Sequence, residues 1–251
     1  MKLLIFTQKV NQDDPVLGFM CSWIKEFAKN CEKVTIICLE KCKYQLPPNV
    51  KILSLGKEEG HSKLKYLLRF YLYIWRERKN YDVIFSHMNP EYIIFGGFLW
   101  RFWKKKISLW YANGFASLGL KIAEKLVDII FTSTRSGCRL SSSKIKIVGQ
   151  GIDTNFFKPP TEVLSKKTGV FNLISIGRIS PIKNYGLLVK ALEKLKGELL
   201  NIKAIIIGSP ILPKDYLYLE FLNSEIKQKK LNKDIIFLGS LPNDKILPHL
   251  Y

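Results

Sequence analysis

Short apolar runs alternate along the chain with longer stretches in which apolar residues recur every three or four positions. Apolar, β-branched runs of about four to eight residues are typical of buried strands, and the second pattern is typical of amphipathic helices. The strands are predicted at residues 3–7, 34–39, 50–53, 82–86, 107–111, 129–132 and 145–148. The helices are predicted at residues 17–30, 63–79, 92–103 and 117–126. This alternation predicts an α/β protein whose parallel sheet is covered by helices on both faces.

The alternation is interrupted near the middle of the chain. Residues 149–162 (GQGIDTNFFKPPTE) contain glycines and a double proline without any period, and the residues that follow are polar and basic. Such a composition is typical of a domain boundary. We therefore expect an N-terminal domain at 1–160, a linker at 161–169 and a C-terminal domain at 170–251.

The second series of elements is shorter than the first. Strands are predicted at residues 170–176, 203–207 and 235–238, helices at 184–196 and 215–230, and a further helix begins near Asp244. Three strands make a thin sheet for a domain of this type. The C-terminal domain is therefore expected to be incomplete.

The loop after the first strand of this second series carries two cations. It reads IGRISPIKN (176–184), in which Arg178 comes directly after Gly177. Lys183 comes directly before Asn184, the predicted N-cap of the next helix. Arg178 can hold a phosphate through two hydrogen bonds, Lys183 adds a point charge, and a helix N-terminus favours an anion. A phosphate site and an ordinary connection with solvated cations both fit this local pattern.

The composition is strongly basic. The 251 residues carry a formal charge of +19, and the sequence pI is about 9.7. This balance predicts affinity for something acidic, namely nucleic acid, an anionic membrane surface or a phosphorylated small molecule.

The five cysteines indicate neither a disulfide framework nor a zinc site, because their number is odd and no C-x-x-C pair occurs. A reduced cytoplasm fits this usage. No signal peptide is expected, since residues 1–8 run directly into polar sequence. No apolar run reaches the roughly 20 residues that a membrane span needs.

Four segments together resemble the GT-B glycosyltransferases of family 4, the group 1 type. They are the opening strand with its loop ending at Gly18, GQGIDTNFFKP (149–159), IGRISPIKN (176–184), and the pair IIIG (205–208) and IIFLG (235–239). A G-I-D-x-x-x-F-x-P motif followed by G-R-x-x-x-x-K is far more specific than either motif alone. The resemblance implies two Rossmann-like, doubly wound domains facing a cleft, the first on the acceptor side. It also implies transfer of a sugar, with retained configuration, from a uridine or guanosine diphosphate sugar.

The same resemblance implies roles for residues on the donor side. Arg178 and Lys183 would bind the donor diphosphate, and Gly177 and Gly18 would allow its close approach. Two further glycines would lie near the donor nucleotide, Gly208 and Gly239. Fixed cations stabilise the negative charge that builds up on the leaving diphosphate. No cofactor besides the donor and no metal is expected, because such enzymes commonly need none and the chain has no D-x-D motif.

His87 and Asn113 are the candidate catalytic residues of the N-terminal domain. His87 lies in SHMNP (86–90), after a predicted strand, at the edge where open α/β sheets bind ligands. Asn113 lies in WYANG (110–114), near which family members often carry a histidine close to the transferred sugar. Asparagine exchanges hydrogen bonds but takes up no proton near neutral pH. A structural histidine at position 87 and an ordinary turn glycine at position 18 stay open as alternatives.

The end of the chain departs from the family pattern. The family's second domain continues through a glutamate pair spaced E-x-x-x-x-x-x-x-E, which binds the donor sugar and ribose, and no such pair follows Gly239 here. We therefore expect a truncated or partial protein that transfers sugar poorly or not at all.

Two predicted helical segments interleave aromatic residues with cations, KLKYLLRFYLYIWRERK (63–79) and FLWRFWKKK (98–106). Such faces suit a membrane interface, and a lipid-linked acceptor or growing surface polysaccharide would explain them. The expected location is the cytoplasm, with peripheral contact at the inner face of the membrane. The alternative is that the apolar residues of the first segment pack against the sheet. These residues are Leu67, Leu68, Tyr71, Leu72 and Trp75.

Two other classes fit the composition less well. A nucleic-acid-binding protein would be equally basic, but here the cations are spread along the chain and no RNA-recognition, helix-turn-helix or zinc-finger signature occurs. A Rossmann-type oxidoreductase would carry G-x-G-x-x-G after its first strand, where this chain has QKVNQDDP (8–15).

Overall fold

The computed structural model describes residues 1–158, 169–196, 198 and 201–241. The chain divides into two compact units, Met1–Ile152 and Asp153–Tyr251, which we call the first unit and the second unit. The predicted boundary at residue 160 lies a few positions beyond this division. The predicted linker, except for Gly169, and the helix predicted near Asp244 lie outside the described residues.

The first unit is built on a parallel sheet. Its strands are β1 (Lys2–Val10), β2 (Lys33–Lys41), β3 (Val50–Ser54), β4 (Val83–His87), β5 (Lys106–Trp110), β6 (Ile129–Thr132) and β7 (Ile145–Ile147). They lie in the order β3-β2-β1-β4-β5-β6-β7, and every neighbouring pair is parallel. The order reverses between β1 and β4, as in a doubly wound α/β sheet, whose ligands bind at the carboxyl ends of the strands near that point. The predicted fold class is confirmed.

Helices cover this sheet. They are α1 (Phe19–Asn30), α2 (Lys63–Arg76), α3 (Pro90–Phe102) and α4 (Leu118–Leu126). Ser62 and Ser117 cap α2 and α4 through hydroxyl oxygens that accept the backbone N–H of Lys65 and Leu120. Pro90 opens α3 at a position where its missing N–H costs nothing. Across the described residues, no helix combines the length and the apolarity that a membrane crossing requires.

The core of the first unit lies on both faces of the sheet. Successive side chains of a strand point to opposite faces. Accordingly, Leu4 and Phe6 of β1 pack in one apolar cluster, and Leu3 and Ile5 pack in another. Since both faces of β1 are buried, the strand reads as a continuous apolar run.

Helix α2 presents a different face to the sheet than the sequence suggested. Its buried residues are Phe70 and Ile74. Of the five residues considered as core contacts, Leu67 is half-buried. The other four are exposed, namely Leu68, Tyr71, Leu72 and Trp75. That expectation was wrong for these four, because apolar residues surround most of α2 and their spacing alone does not determine which side is buried.

The second unit contains a smaller parallel sheet in the order β10-β9-β8. Its elements are β8 (Phe171–Ile176), α5 (Tyr185–Lys196), β9 (Ile202–Ile207), α6 (Pro213–Gln228) and β10 (Ile235–Gly239). A third apolar cluster, which includes Val189, Leu192, Ile206 and Leu222, packs both helices against the sheet. Because the strands are parallel, their carboxyl ends lie at one edge, which we call the carboxyl edge of the second unit.

Candidate functional site

Glycines line the carboxyl edge of the second unit. Gly177 comes directly after β8, Gly208 comes directly after β9, and Gly239 is the last residue of β10. Their φ angles are 156°, 144° and 73°, values that glycine adopts without strain. The N–H of Gly177 donates to the carbonyl of Ile207 at 2.9 Å, and the N–H of Gly208 donates to the carbonyl of Gly239 at 2.8 Å. Three of the four glycines that were predicted to lie near the donor, Gly177, Gly208 and Gly239, are therefore brought together along one backbone edge.

The loops that follow β8 and β9 are joined through their backbones. The N–H of Ile179 donates to the carbonyl of Ser209 at 3.2 Å. Ile179 and Ser180 are both buried, so the first of these loops is packed rather than solvated. The two loops thus form one structural element at the carboxyl edge.

Arg178 lies in this element and contacts a buried carboxylate. Its Nε is 3.5 Å from Oδ2 of Asp215, a residue in the first turn of α6 with no solvent-exposed side-chain area. The same oxygen accepts the N–H of Leu212 at 3.0 Å and of Ile211 at 3.3 Å. The N–H of Leu212 lowers the pKa of Asp215; burial opposes this, and Ile211 and Arg178 lower the pKa further. Asp215 is therefore a carboxylate at neutral pH, and it holds one side of the Arg178 guanidinium.

Lys183 lies beside Gly177 although five positions separate it from Arg178. Residues Pro181–Lys183 form a 3₁₀ turn that brings the lysine back toward the strand end. Its Nζ is 3.9 Å from the point that a Cβ of Gly177 would occupy. Among the described residues, no carboxylate lies within 4.0 Å of this ammonium group. Two cations therefore lie next to one glycine, and the lysine is available for an anion.

The N-terminus of α5 is anchored by two tyrosines. The hydroxyl of Tyr185 donates to the carbonyl of Gly177 at 3.1 Å, and the hydroxyl of Tyr218, from α6, accepts the N–H of Gly186 at 3.0 Å. Asn184 precedes the helix as predicted, but its φ of 51° is left-handed rather than the extended conformation of an N-cap. The N-cap prediction was wrong because the preceding 3₁₀ turn ends at Asn184.

A small open cavity of about 260 Å³ lies next to this loop. It is lined by Leu173, Ile174, Ser175, Lys183, Asn184, Tyr185 and Leu188. Sites for small molecules usually measure roughly 300 to 1,000 Å³, so this cavity is too small to enclose a whole nucleotide sugar. Its polar lining at Lys183 adjoins the carboxyl edge.

His87 ends β4 at the carboxyl edge of the first unit. Its side chain is 4% exposed, and its ring makes edge-to-face contacts with Phe19 at 5.6 Å and Trp23 at 5.8 Å between ring centroids. Burial lowers the pKa of His87 to about 4. The imidazole is therefore neutral near pH 7, and it can exchange hydrogen bonds but carries no positive charge.

Asn113 lies in the loop that follows β5, the neighbouring strand to β4. The residue is exposed, and the loop is fixed one position later, where the N–H of Gly114 donates to the carbonyl of Gly137 at 2.9 Å. His87 pairs in register with Trp110, three positions before Asn113. The two predicted catalytic residues therefore lie at the same edge of the sheet: His87, which is buried, ends β4, and Asn113, which is exposed, follows the adjacent strand β5.

Gly18 ends the loop between β1 and α1, and the packing of that loop accounts for it. Its φ of −55° is ordinary, but a Cβ would lie 2.6 Å from the carbonyl oxygen of Asp14. The Asp14 carboxylate accepts the N–H of Val16 and Leu17 at 2.9 and 2.8 Å. A role for Gly18 in the approach of the donor stays a prediction beside this structural reason.

Asp215, Tyr185 and Tyr218 complete the site and were not predicted. Asp215 gave one local signal, an acidic residue in the first turn of a helix. Nothing in the sequence pairs it with an arginine that lies one strand, one helix and two loops earlier.

Among the described residues, no cluster of three or more metal-ligating side chains occurs.

Family models match both units. The model described as Glycosyl transferase 4-like matches residues 14–125, and the model described as Glycosyl transferases group 1 matches residues 160–251. A comparison with curated proteins gives no match. Both matched models describe glycosyltransferases, and they occur in the order that the resemblance predicts.

Solved structures share the fold at low sequence identity. Anabaena HepE in complex with UDP is 17% identical, with a TM-score of 0.72 over 100% of this chain and 71% of that chain. Sucrose-phosphate synthase from Thermosynechococcus elongatus is 12% identical, with a TM-score of 0.69 over 99% and 73% of the two chains. UDP-GlcNAc 2-epimerase from Methanocaldococcus jannaschii is 14% identical, with a TM-score of 0.57 over 98% and 75%. The fold is thus shared by a protein crystallised with UDP, a synthase and an epimerase, whereas both family models describe glycosyl transferases.

Proposed function

We propose that this chain, which belongs to the glycosyltransferases of GT-B fold, serves the transfer of a sugar from a nucleotide-diphosphate sugar to a saccharide or lipid-linked acceptor. The observation that carries this proposal is the pair of cations beside Gly177 at the carboxyl edge of the second unit. Because glycine has no side chain, an anion can approach the backbone at Gly177 closely, and it then lies next to two positive charges.

The chemistry of the leaving group explains the need for these charges. When the bond between the anomeric carbon and the diphosphate breaks, negative charge accumulates on the diphosphate oxygens. Arg178 and Lys183 would stabilise this charge from fixed positions, so little reorganisation is needed during the reaction. Because two side-chain cations supply this stabilisation, we propose that the transfer requires no metal ion.

A uridine nucleotide is the proposed donor base. Anabaena HepE has been crystallised in complex with UDP and with UDP-glucose, which supports a UDP-sugar for a chain of the same fold. A hexose transferred with retained configuration is the proposed outcome, in keeping with the resemblance. Synthesis of a surface polysaccharide or glycolipid is the process that such a reaction would serve.

The carboxyl edge of the first unit is the proposed sugar and acceptor side. Asn113 is exposed there and can donate and accept hydrogen bonds to sugar hydroxyls. His87 is held between aromatic rings in its neutral form, so its proposed role is to exchange a hydrogen bond with the substrate rather than to donate a proton from an imidazolium.

A membrane surface is the proposed partner of α2 and α3. Outward-facing apolar residues on these helices include Trp75, 55% exposed, and Phe98, 80% exposed. The Tyr71 hydroxyl donates to the carbonyl of Phe95 at 3.1 Å, so the two helices are in contact. We call this surface the α2–α3 face, and define it by the exposed residues Leu64, Leu68, Tyr71, Leu72, Trp75, Phe95, Phe98 and Phe102.

The cations of α2 and its flanking residues support an anionic lipid surface as the proposed partner of the α2–α3 face. Helix α2 contains Lys63, Lys65, Arg69 and Arg76 and no acidic residue. Arg78 lies over the Trp75 ring at 4.5 Å from its centroid. Aromatic and aliphatic side chains that insert at headgroup level, flanked by cations that meet anionic lipid, are the features of an interfacial helix. A lipid-linked acceptor would lie in such a surface.

Calorimetry with a panel of nucleotides tests the proposed donor. We expect UDP to bind and UMP to bind at least about tenfold more weakly, because the second phosphate adds charge-assisted hydrogen bonds. GDP in the same panel identifies the base. Equal affinities for UDP and UMP, or no binding of any nucleoside diphosphate, would contradict the proposal.

A further inference from the structure

The carboxylate of Asp215 is only partly satisfied in spite of its complete burial. Its Oδ2 accepts two backbone N–H groups, but among the described residues its Oδ1 has no hydrogen-bond partner. A buried polar atom without a partner costs free energy. Asp215 is the third residue of α6, where its carboxylate accepts the N–H of the N-cap residue Leu212, a role that a neutral glutamine side chain also fills. The negative charge is favoured by the N-terminus of the helix, and the guanidinium of Arg178 is its side-chain partner.

The contact between the two side chains is one-sided. Asp215 approaches Arg178 at Nε, and within the described residues the terminal nitrogens Nη1 and Nη2 donate no hydrogen bond. The Arg178 side chain remains 37% exposed, whereas Asp215 is fully buried. The guanidinium is thus contacted from the protein side at Nε, and its terminal donors have no partner among the described residues. An arginine anchored in this way loses less conformational entropy when it binds an anion.

We infer that Asp215 is a positioning residue of the donor site, which fixes Arg178 at the carboxyl edge so that its terminal guanidinium nitrogens face the diphosphate of the donor. This inference rests on the proposed function of Arg178. Without an intervening cation, a buried carboxylate so close to the edge would repel a diphosphate. Its placement is productive only if the arginine lies between the two anionic groups.

A double-mutant cycle measures this coupling. The variants are Asp215→Asn, Arg178→Ala and their combination, and the probes are UDP and inorganic pyrophosphate, titrated by calorimetry. We expect Asp215→Asn to weaken binding of both probes by about tenfold in the wild-type background and by less than about twofold in the Arg178→Ala background. Asp234→Asn is the matched control, because Asp234 pairs with Lys196 in the same unit, outside the donor loops. The control should bind both probes as the wild type does.

A structural role for Asp215 would give a different pattern. If the aspartate merely stabilised α6, its substitution would lower the unfolding temperature and change affinity equally in both backgrounds. If it withheld Arg178 from the ligand, Asp215→Asn would tighten binding. Equal losses, no loss or tighter binding would each overturn the inference. Asp215→Gln retains an oxygen that can accept the N–H of the N-cap residue, and it serves as the test if the asparagine variant does not fold.

Failure of the proposed function has its own signature. A wild-type chain that binds neither probe, or an Arg178→Ala variant that binds them normally, would contradict the donor site itself. A wild-type chain that binds both probes, with Arg178→Ala impaired and Asp215→Asn unimpaired, would contradict only the positioning role.

Discussion

A Cβ atom placed on Gly208 would lie 2.0 Å from the carbonyl oxygen of Gly177. The neighbouring atom belongs to the backbone, so no side-chain rotation can relieve the overlap. The carbonyl of Gly177 is also held by the Tyr185 hydroxyl at 3.1 Å. The close approach of these two glycines therefore determines where the loop with Arg178 begins.

Gly208→Ala should consequently damage both stability and donor binding. The overlap and the left-handed φ of 144° together cost roughly 3 kcal/mol. Because relief requires the β8 loop to move, we also expect weaker UDP binding at temperatures where the variant is still folded. Urea unfolding and UDP calorimetry on the same preparation check both effects.

Gly186→Ala is the matched control for that substitution. A Cβ at Gly186 would meet only the Tyr218 hydroxyl, at 3.9 Å, and the residue lies in helix α5. Alanine is favoured over glycine in a helix, so we expect unchanged or slightly raised stability, by at most about 1 kcal/mol. If both alanine variants lost stability equally, the contact between Gly208 and Gly177 would not be the cause.

The buried His87 predicts a pH dependence of stability. Its folded-state pKa, about 4, lies below the value of about 6.5 for an unfolded chain. Between these two pKa values the unfolded state binds more protons than the folded state. The contribution of the neutral His87 to the free energy of unfolding is therefore fully present above about pH 6.5 and is lost as the pH falls toward 4. Lowering the pH from 7 to 5 should therefore reduce the free energy of unfolding by about 2 kcal/mol through His87 alone.

His87→Phe isolates that contribution, since phenylalanine preserves aromatic packing against Phe19 and Trp23. Urea unfolding at pH 7 and pH 5 should show a smaller loss of stability for the variant than for the wild type. Proton NMR of the imidazole C2–H gives an independent check, with no His87 titration expected above about pH 5. Titration of this proton near its unperturbed pKa would show that the ring is accessible to water.

The α2–α3 face predicts binding to anionic vesicles. We expect co-sedimentation with vesicles that contain phosphatidylglycerol, and weaker binding as the salt concentration rises. Trp75→Glu and Phe98→Glu should each reduce binding at least about tenfold, because each removes a large apolar side chain from the interface and adds an anion. UDP affinity should not change.

Leu217→Glu is the control for the vesicle experiment, since the exposure of Leu217, 66%, lies between those of Trp75 and Phe98, and the residue belongs to α6 of the second unit. Gel filtration of the same variants separates lipid binding from self-association. Loss of a dimer on Trp75→Glu, without any vesicle binding by the wild type, would show that the face contacts a second copy of the chain instead.

Much of the fold could be predicted from periodicity alone. The strand at Ile129–Thr132 was predicted with its observed bounds, and every other predicted strand lies within three residues of the observed one at either end. Their apolar runs are continuous because the strands are covered on both sides. The orientation of α2 could not be predicted in this way, since Leu68 and Phe70 are equally apolar and only contact with the sheet distinguishes them.

The candidate site was predictable only in part. Gly177, Arg178 and Lys183 lie close together in sequence, so the loop motif identified them before the structure did. Asp215 contacts Arg178 from a distant part of the chain. Position 208 accepts only glycine because the backbones of two loops are in contact there. Both contacts arise from tertiary packing, so the residues next to them in the sequence show no pattern that would predict them.

The most direct test of the donor site compares the UDP affinity of Arg178→Ala and Lys183→Ala with that of Lys190→Ala. Lys190 is an exposed cation on α5, so its substitution changes the net charge equally without touching the carboxyl edge. We predict losses of about tenfold to hundredfold for the first two variants, the value of a charge-assisted hydrogen bond to phosphate, and less than about twofold for the control. Equal, small effects of all three substitutions would contradict a diphosphate site at this edge.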